Sequence, residues 1–346
     1  MKIAVLNSGS SSLKCKVFAY PSKELLFCKT IERIGEDGAA VQTHSEALEA
    51  LEIDFASLDG IGHRVVHGAE HLQESVLIDS DVMETIKELI PLAPLHNPAN
   101  LEGIEVAVKK APHIPQVAVF DTAFHATMQE EAYLYALPYE LYEKEGIRRY
   151  GFHGTSHAYL TKEAAKMLNK TLSQLNIITL HLGNGASACA VKNGKSIDTS
   201  MGFTPLEGLV MGTRCGDLDV AIVLYLQNKL GKSREEVEHI LNKESGLKGL
   251  CGENDFRKII AREDKYAKIA FNIMVRRIQK YIGSYIVLLE DIDAIVFSGG
   301  IGEHSKLLRD AVMQNALLKN IEVLVIQTDE ELEIANECYR VIKEKV

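Results

Sequence analysis

The six cysteines, at positions 15, 28, 189, 215, 251 and 338, contain no CxxC pair. That removes the usual zinc and dithiol spacings, and free thiols in a reducing cytoplasm are the expectation. No histidine falls in an HExxH or comparable ligand pattern, so a transition-metal centre is not expected. Long apolar runs are lacking too. The best, residues 282–289, is too short for a bilayer and is flanked by charge. The opening residues, Met1 to Asn7, turn polar after four apolar positions, so no secretory leader is expected. Positive charge is in deficit, 38 basic against 48 acidic residues for a net charge of −10. This argues against a nucleic-acid or anionic-membrane partner, although a locally basic site can still take an anionic substrate.

What is present is an ordinary globular composition, 46% apolar and 25% charged, in a chain of 346 residues, long enough for two domains. Residues 2–6 form a predicted buried strand. Residues 7–12 form a Gly/Ser turn, and residues 13–20 alternate as the returning strand. No helical period follows the turn, so a Walker or Rossmann loop does not fit. Backbone N–H groups, Ser10, Ser12 and Lys14 make this hairpin tip a candidate phosphate site; a plain serine-rich turn is the alternative. The unit recurs: residues 3–17 lie without a gap on residues 177–191, with five identities including Leu6/Leu180, Gly9/Gly183 and Cys15/Cys189. A duplicated α/β domain with mixed sheets follows. Helices are expected over 79–89, 101–110, from about 157, 221–227, 234–241, 266–289, 307–317 and 330–343. Further strands are expected over 116–120, 294–298 and 323–326, and residues 299–305 are expected as a glycine turn.

Three glycine turns, at 7–12, 183–187 and 299–303, each suit close approach of a ligand to backbone. Arg64 lies among apolar residues in 61–68, and Asp121 ends the apolar run 117–120. Arg214 stands between Gly212 and Gly216, and His153 lies between Gly151 and Gly154. Two guanidiniums, an imidazole and a carboxylate with no evident covalent nucleophile suit phosphoryl transfer, which needs positioning and charge neutralisation. Each group alone also fits a structural role.

These segments, with 93–98, 120–125, 148–157, 181–185, 198–202, 211–219 and 299–303, resemble acetate kinase in sequence and order over nearly the whole chain. The resemblance implies an α/β fold of two duplicated ribonuclease-H-like domains, of the actin, Hsp70 and sugar-kinase kind, around a central cleft. It implies an N-terminal domain of residues 1–122 plus 330–346, a nucleotide-binding domain of 123–329, and a cytoplasmic homodimer. The implied reaction is reversible phosphoryl transfer from ATP to acetate, giving ADP and acetyl phosphate, with Mg²⁺, or Mn²⁺ in its place. By motif position, Asp121, Arg64, His153 and Arg214 are catalytic, and Arg64 also binds substrate. Val66, Leu95, Phe152 and Pro205 line the acyl pocket, and Asn7 and Glu330 serve the metal, with Glu331 the adjacent competitor. Lys14, Ser10, Ser12, His181, Leu182, Gly183, Asn184, Gly185, Asp255, Phe256, Arg257, Gly300, Ile301, Gly302, Glu303 and His304 bind nucleotide. The stretch before Gly62 is shorter than usual in the family, so the first domain is expected to be trimmed. A kinase for propionate or another short fatty acid is the near alternative, and a non-catalytic nucleotide sensor the remote one.

Overall fold

The structure, a computed structural model, describes every residue except Asp37, Leu95 and Val346. The chain divides into two compact units: Met1–Ala126 with Gly154–Ser156 and Asp329–Val346, and Thr127–His153 with His157–Thr328.

The first unit holds a six-stranded sheet of β1 (Lys2–Gly9), β2 (Ser12–Ala19), β3 (Glu24–Glu32), β4 (Gly60–Val65), β5 (Val76–Leu77) and β6 (Gln116–Phe120), in the order β3-β2-β1-β4-β6-β5. The second holds β7 (Ile177–Leu182), β8 (Ala186–Lys192), β9 (Lys195–Thr199), β10 (Ala294–Ser298) and β11 (Glu322–Val325), in the order β11-β10-β7-β8-β9. The duplication is plain in the pairing. β1 runs antiparallel to β2 and parallel to β4, and β4 parallel to β6. β7 runs antiparallel to β8 and parallel to β10, and β10 parallel to β11. The gapless repeat is off by one in its returning strand, because the two tips differ. β1 and β2 turn through Ser10 and Ser11, with Gly9 opposite Ser12. β7 and β8 turn through three residues, with Leu182 opposite Ala186.

Alternation along β1 sends Ala4 and Leu6 to one face and Ile3 and Val5 to the other. The first face packs under the helices His44–Ala50 and Asn97–Lys110, with Leu48 and Ala107 in its core. The second packs under the C-terminal helix Glu330–Lys345 through Ile334, Cys338 and Ile342. Burying each such aliphatic side chain contributes roughly 1.5–3 kcal/mol, an upper estimate. Gly62 lets that helix lie close, since a Cβ there would stand 3.0 Å from Ile334 Cγ2. In the second unit the helix Lys265–Leu289 covers β8 and β7, burying Met274, Ile278, Ile282 and Tyr285. It is continuous through Gly283. No helix among the described residues is long and apolar enough to cross a membrane.

Three differences from the sequence reading have local causes. β3 was not expected, and its pattern alternates exposed with at most half-buried residues, so no fully buried face marks it. Residues 299–304 form a short helix rather than a turn, entered through a left-handed Gly299 at φ 74°. The helix expected from 101 begins at Asn97, with proline in its first turn, where the missing N–H costs nothing.

Candidate active site

In the first unit the polar groups gather at the C-terminal ends of neighbouring parallel strands, where ligands bind open α/β sheets. Arg64 is the fifth residue of β4, and Asp121 follows β6 directly. Arg64 Nε donates to both Asp121 oxygens at 3.1 Å, and Nη2 donates to Oδ2 at 2.6 Å. Nη1 donates to Asn7 Oδ1 at 3.4 Å, so the tip of β1 joins the group. Asp121 is 1% exposed. Thr155 Oγ1 donates to its carboxylate at 3.4 Å, and the Gly154 N–H donates to its carbonyl at 2.8 Å. Burial works against the Arg64 charge, but Asp121, then Glu330 and Glu331, outweigh it and hold the guanidinium above its ordinary value.

Glu330 and Glu331 face different partners. Glu331 pairs with Lys14 at 2.8 Å and Lys16 at 3.1 Å. Burial pushes its carboxyl up, and the two lysines more than reverse that. Glu330 lies in the field of Arg64 and Asp121. Burial pushes its carboxyl up to about 7, with Arg64 pulling down and Asp121 pushing further up. Val66 is buried just beyond β4, its N–H donating to Asn100 Oδ1 at 3.1 Å. Leu95 lies outside the described residues.

In the second unit His153 sits in a left-handed conformation, φ 57°, at the N-cap of the helix Gly154–Met167. Such backbone in a non-glycine residue is held only where its surroundings enforce it. Its ring lies tilted at 34° against His181, centroids 4.4 Å apart, and its Nδ1 lies 2.8 Å from Ser187 Oγ on β8. Gly185 lies close against His153 and Arg214. A Cβ there would lie 3.3 Å from His153 Nε2 and 2.9 Å from Arg214 Nη2. Arg214 Nη1 donates to the Pro205 carbonyl at 2.7 Å. Burial holds the Arg214 guanidinium below its ordinary value, and among the described residues no carboxylate pairs with it. Phe152 is buried beside His153 in the chain.

Of the other predicted nucleotide residues, Leu182 and Phe256 have buried side chains, leaving only their backbone for a ligand. Asp255 caps the helix Phe256–Ile260 and pairs with Arg257 at 2.8 Å. Gly299 approaches the backbone of Leu182, so the glycine segments after β7 and β10 adjoin. Gly300 and His304 are exposed, Gly302 is buried, and Ile301 is intermediate. The Glu303 carboxylate accepts from the N–H groups of Gly299 at 3.0 Å and Thr328 at 3.3 Å. Sequence reading missed a half-buried clamp around the Arg214 loop. Glu207 takes Arg149 at 2.7 Å and the Tyr135 hydroxyl. Asp217 accepts from Tyr281 Oη at 3.0 Å and from the Gly208 N–H at 2.8 Å. No spacing in the chain announces these partners.

Two sheets that share a five-strand order in a single chain, with glycine segments at strand ends in both and Arg64 at a strand end in the first, define the class: phosphotransferases built from duplicated ribonuclease-H-like domains. Within it the chain belongs to the acetokinase family, whose model matches residues 40–344. The chain is 51% identical to the acetate kinase of Sulfurimonas denitrificans, covering 99% of this chain and 100% of that one. That alignment runs over 388 residues, more than this chain has, so the relative carries positions absent here. Among solved structures, Porphyromonas gingivalis acetate kinase matches with a TM-score of 0.92 at 37% identity, covering 99% of each chain. A propionate kinase from Francisella tularensis matches with a TM-score of 0.92 at 41% identity, covering 98% of this chain and 99% of that one. Family membership carries ATP-dependent phosphorylation of a carboxyl group and a general need for a divalent metal.

Proposed function

We propose that the protein phosphorylates acetate, passing the γ-phosphoryl group of Mg-ATP directly and reversibly to give acetyl phosphate and ADP. The observation that carries this reading is the buried Arg64–Asp121 pair at the ends of β4 and β6, in a chain half identical to an acetate kinase. Acetate and a phosphoryl group are both anionic, and their repulsion is the barrier a catalyst must lower. In this reading Arg64 holds the acetate carboxylate, and Asp121 fixes the plane of the guanidinium by its two-point bond. Arg214, lacking a protein carboxylate, takes up charge on the transferring phosphoryl, and His153 donates a hydrogen bond to it. Val66, Phe152, Pro205 and Leu95 are the residues that the resemblance assigns to the methyl group. Lys14, Ser10, Ser12, residues 181–185, residues 255–257 and residues 300–304 serve the nucleotide.

Asn7, Asp121 and Glu330 offer oxygen donors that suit Mg²⁺, which takes one or two carboxylates and completes its shell with water and phosphate. The raised Glu330 carboxyl supports this, since a neighbouring cation would restore its ionised form. A cation there would screen the phosphoryl oxygens. Glu330 rather than Glu331 is the residue for this task, because Glu331 is engaged by two lysines. The chain acts in the cytoplasm as a homodimer. The helix Ala221–Asn228 supports the dimer: it has no buried residue, and Leu224 and Tyr225 are more than half exposed.

Propionate is the second reading, favoured by the similarity to a propionate kinase. One methylene discriminates by about 1–3 kcal/mol. Initial rates of ADP formation with acetate, propionate and butyrate decide it: acetate is expected to have the highest kcat/KM. A higher value for propionate would move the assignment to that acid.

A further inference from the structure

The hydrogen bonds behind His153 run in a chain through the second unit. Ser187 Oγ lies 2.8 Å from His153 Nδ1 and 2.8 Å from His157 Nε2. His157 Nδ1 lies 2.7 Å from Thr179 Oγ1. Ser187, His157 and Thr179 are wholly buried on β8, the helix Gly154–Met167 and β7. We infer that Thr179, His157 and Ser187 form a one-way hydrogen-bond chain that fixes His153 with its proton on Nε2, as a donor to the transferring phosphoryl group. This rests on the reading of His153 given above.

The direction follows from counting protons. A serine hydroxyl has one proton to donate, so Ser187 donates to one imidazole and accepts from the other. The far end selects which. Thr179 has one hydroxyl proton to give. Were His157 Nδ1–H to donate to Thr179, that proton would be left to the Cys189 thiol opposite on β8, a weak acceptor. Leaving a buried donor poorly satisfied is costly, so Thr179 donates to His157 Nδ1. His157 Nε2–H then donates to Ser187, and the Ser187 hydroxyl donates to His153 Nδ1. His153 is left with its proton on Nε2, the nitrogen that a Cβ on Gly185 would approach to 3.3 Å, on the side where Arg214 Nη2 lies. His181 lies against the ring, centroids 4.4 Å apart. Thr179, His157 and Ser187 are positioning residues: they touch no substrate and act through His153.

The tautomer is read directly in wild-type protein labelled with ¹⁵N-histidine, the His153 signals being assigned by their loss in His153→Gln. The expected spectrum has a protonated Nε2 and a bare Nδ1. A protonated Nδ1 with a bare Nε2 would overturn the inference. Kinetics supply the second arm. Thr179→Val is isosteric and removes only the chain's first donor. It is expected to lower kcat roughly 10–100-fold, the scale of losing a supporting hydrogen-bond partner. The KM for acetate and for ATP should stay close to wild type, and Thr179→Ser should restore kcat. A merely structural threonine would leave kcat and the spectrum unmoved in Thr179→Val, and that result would also overturn the chain. A wild-type protein inactive on every short carboxylate would sink the proposed function instead, while the spectrum would still decide the tautomer.

Discussion

Arg64 has a buried carboxylate bound at two points, whereas Arg214 has a backbone carbonyl and, among the described residues, no counter-charge. The two arginines should therefore part company on mutation. Arg64→Ala strands the buried Asp121 and is expected to cost about 3–5 kcal/mol of stability as well as activity. Arg214→Ala removes a charge that burial already disfavours, so its urea midpoint should match or exceed wild type. Its turnover should fall about 10³-fold or more, as for charge-stabilising arginines in other phosphoryl transfers. Near-normal turnover in a folded Arg214→Ala protein would remove Arg214 from the chemistry. His63 gives a pH test. It is buried on β4 with Nε2 2.7 Å from Gln116 Oε1, and burial pushes it down from 6.5 to about 4. The folded state thus binds this proton less readily than the unfolded one. The resulting stability is whole above pH 6.5 and is lost as pH falls towards 4, by at most about 3 kcal/mol. Urea melts of His63→Asn should show a shallower loss between pH 7 and pH 4 than wild type; equal slopes would rule out this origin. Arg64 and Asp121 were legible as separate residues, but their pairing depends on β4 lying beside β6. Glu330 and Glu331 were indistinguishable in sequence, and only the helical rotation between them sends one to Arg64 and the other to the lysines.

At the scale of elements, the junction ahead of the helix Gly154–Met167 is the tightest point of the first unit's site. A Cβ on Gly154 would stand 2.2 Å from the Asp121 carbonyl oxygen, which is backbone and cannot swing away. Alanine is normally the better helix residue. Here Gly154→Ala is expected to destabilise by about 1–3 kcal/mol and to lower kcat by displacing Asp121. A melt and a rate on the same sample check this, and a stabilised, fully active variant would show that the loop yields. Strands with a buried run, such as Gln116–Phe120 and Ala294–Ser298, were legible to the residue. The edge strand Glu24–Glu32 was not, because exposed Leu25 and Leu26 break its pattern. The segment 299–304 was read as a turn because its glycines hide a helix that Gly299 starts from a left-handed conformation.

At the scale of the whole molecule, a shared strand, glycine turn and strand at the start of each half, with five identities in fifteen residues, pointed to a duplication that five strands of each sheet then repeat, β5 being the addition in the first. The polar network behind His153 was not legible, since its members come from separate strands and a helix with no motif between them. In the proposed dimer the apolar helix Ala221–Asn228 is the contact surface. Light scattering on the eluting protein should give about twice the 38.3 kDa chain mass, and Leu224→Asp should return it to a single chain. A wild-type monomer at micromolar concentration would refute the dimer.

The most direct test of the central claim is hydroxylamine trapping of the acyl phosphate made by purified protein from Mg-ATP and acetate, beside Asp121→Ala. Acetyl hydroxamate that accumulates with wild type and falls to background with the variant is the expected result. No hydroxamate from wild type, or equal amounts from both proteins, would contradict the assignment of acetate phosphorylation to this site.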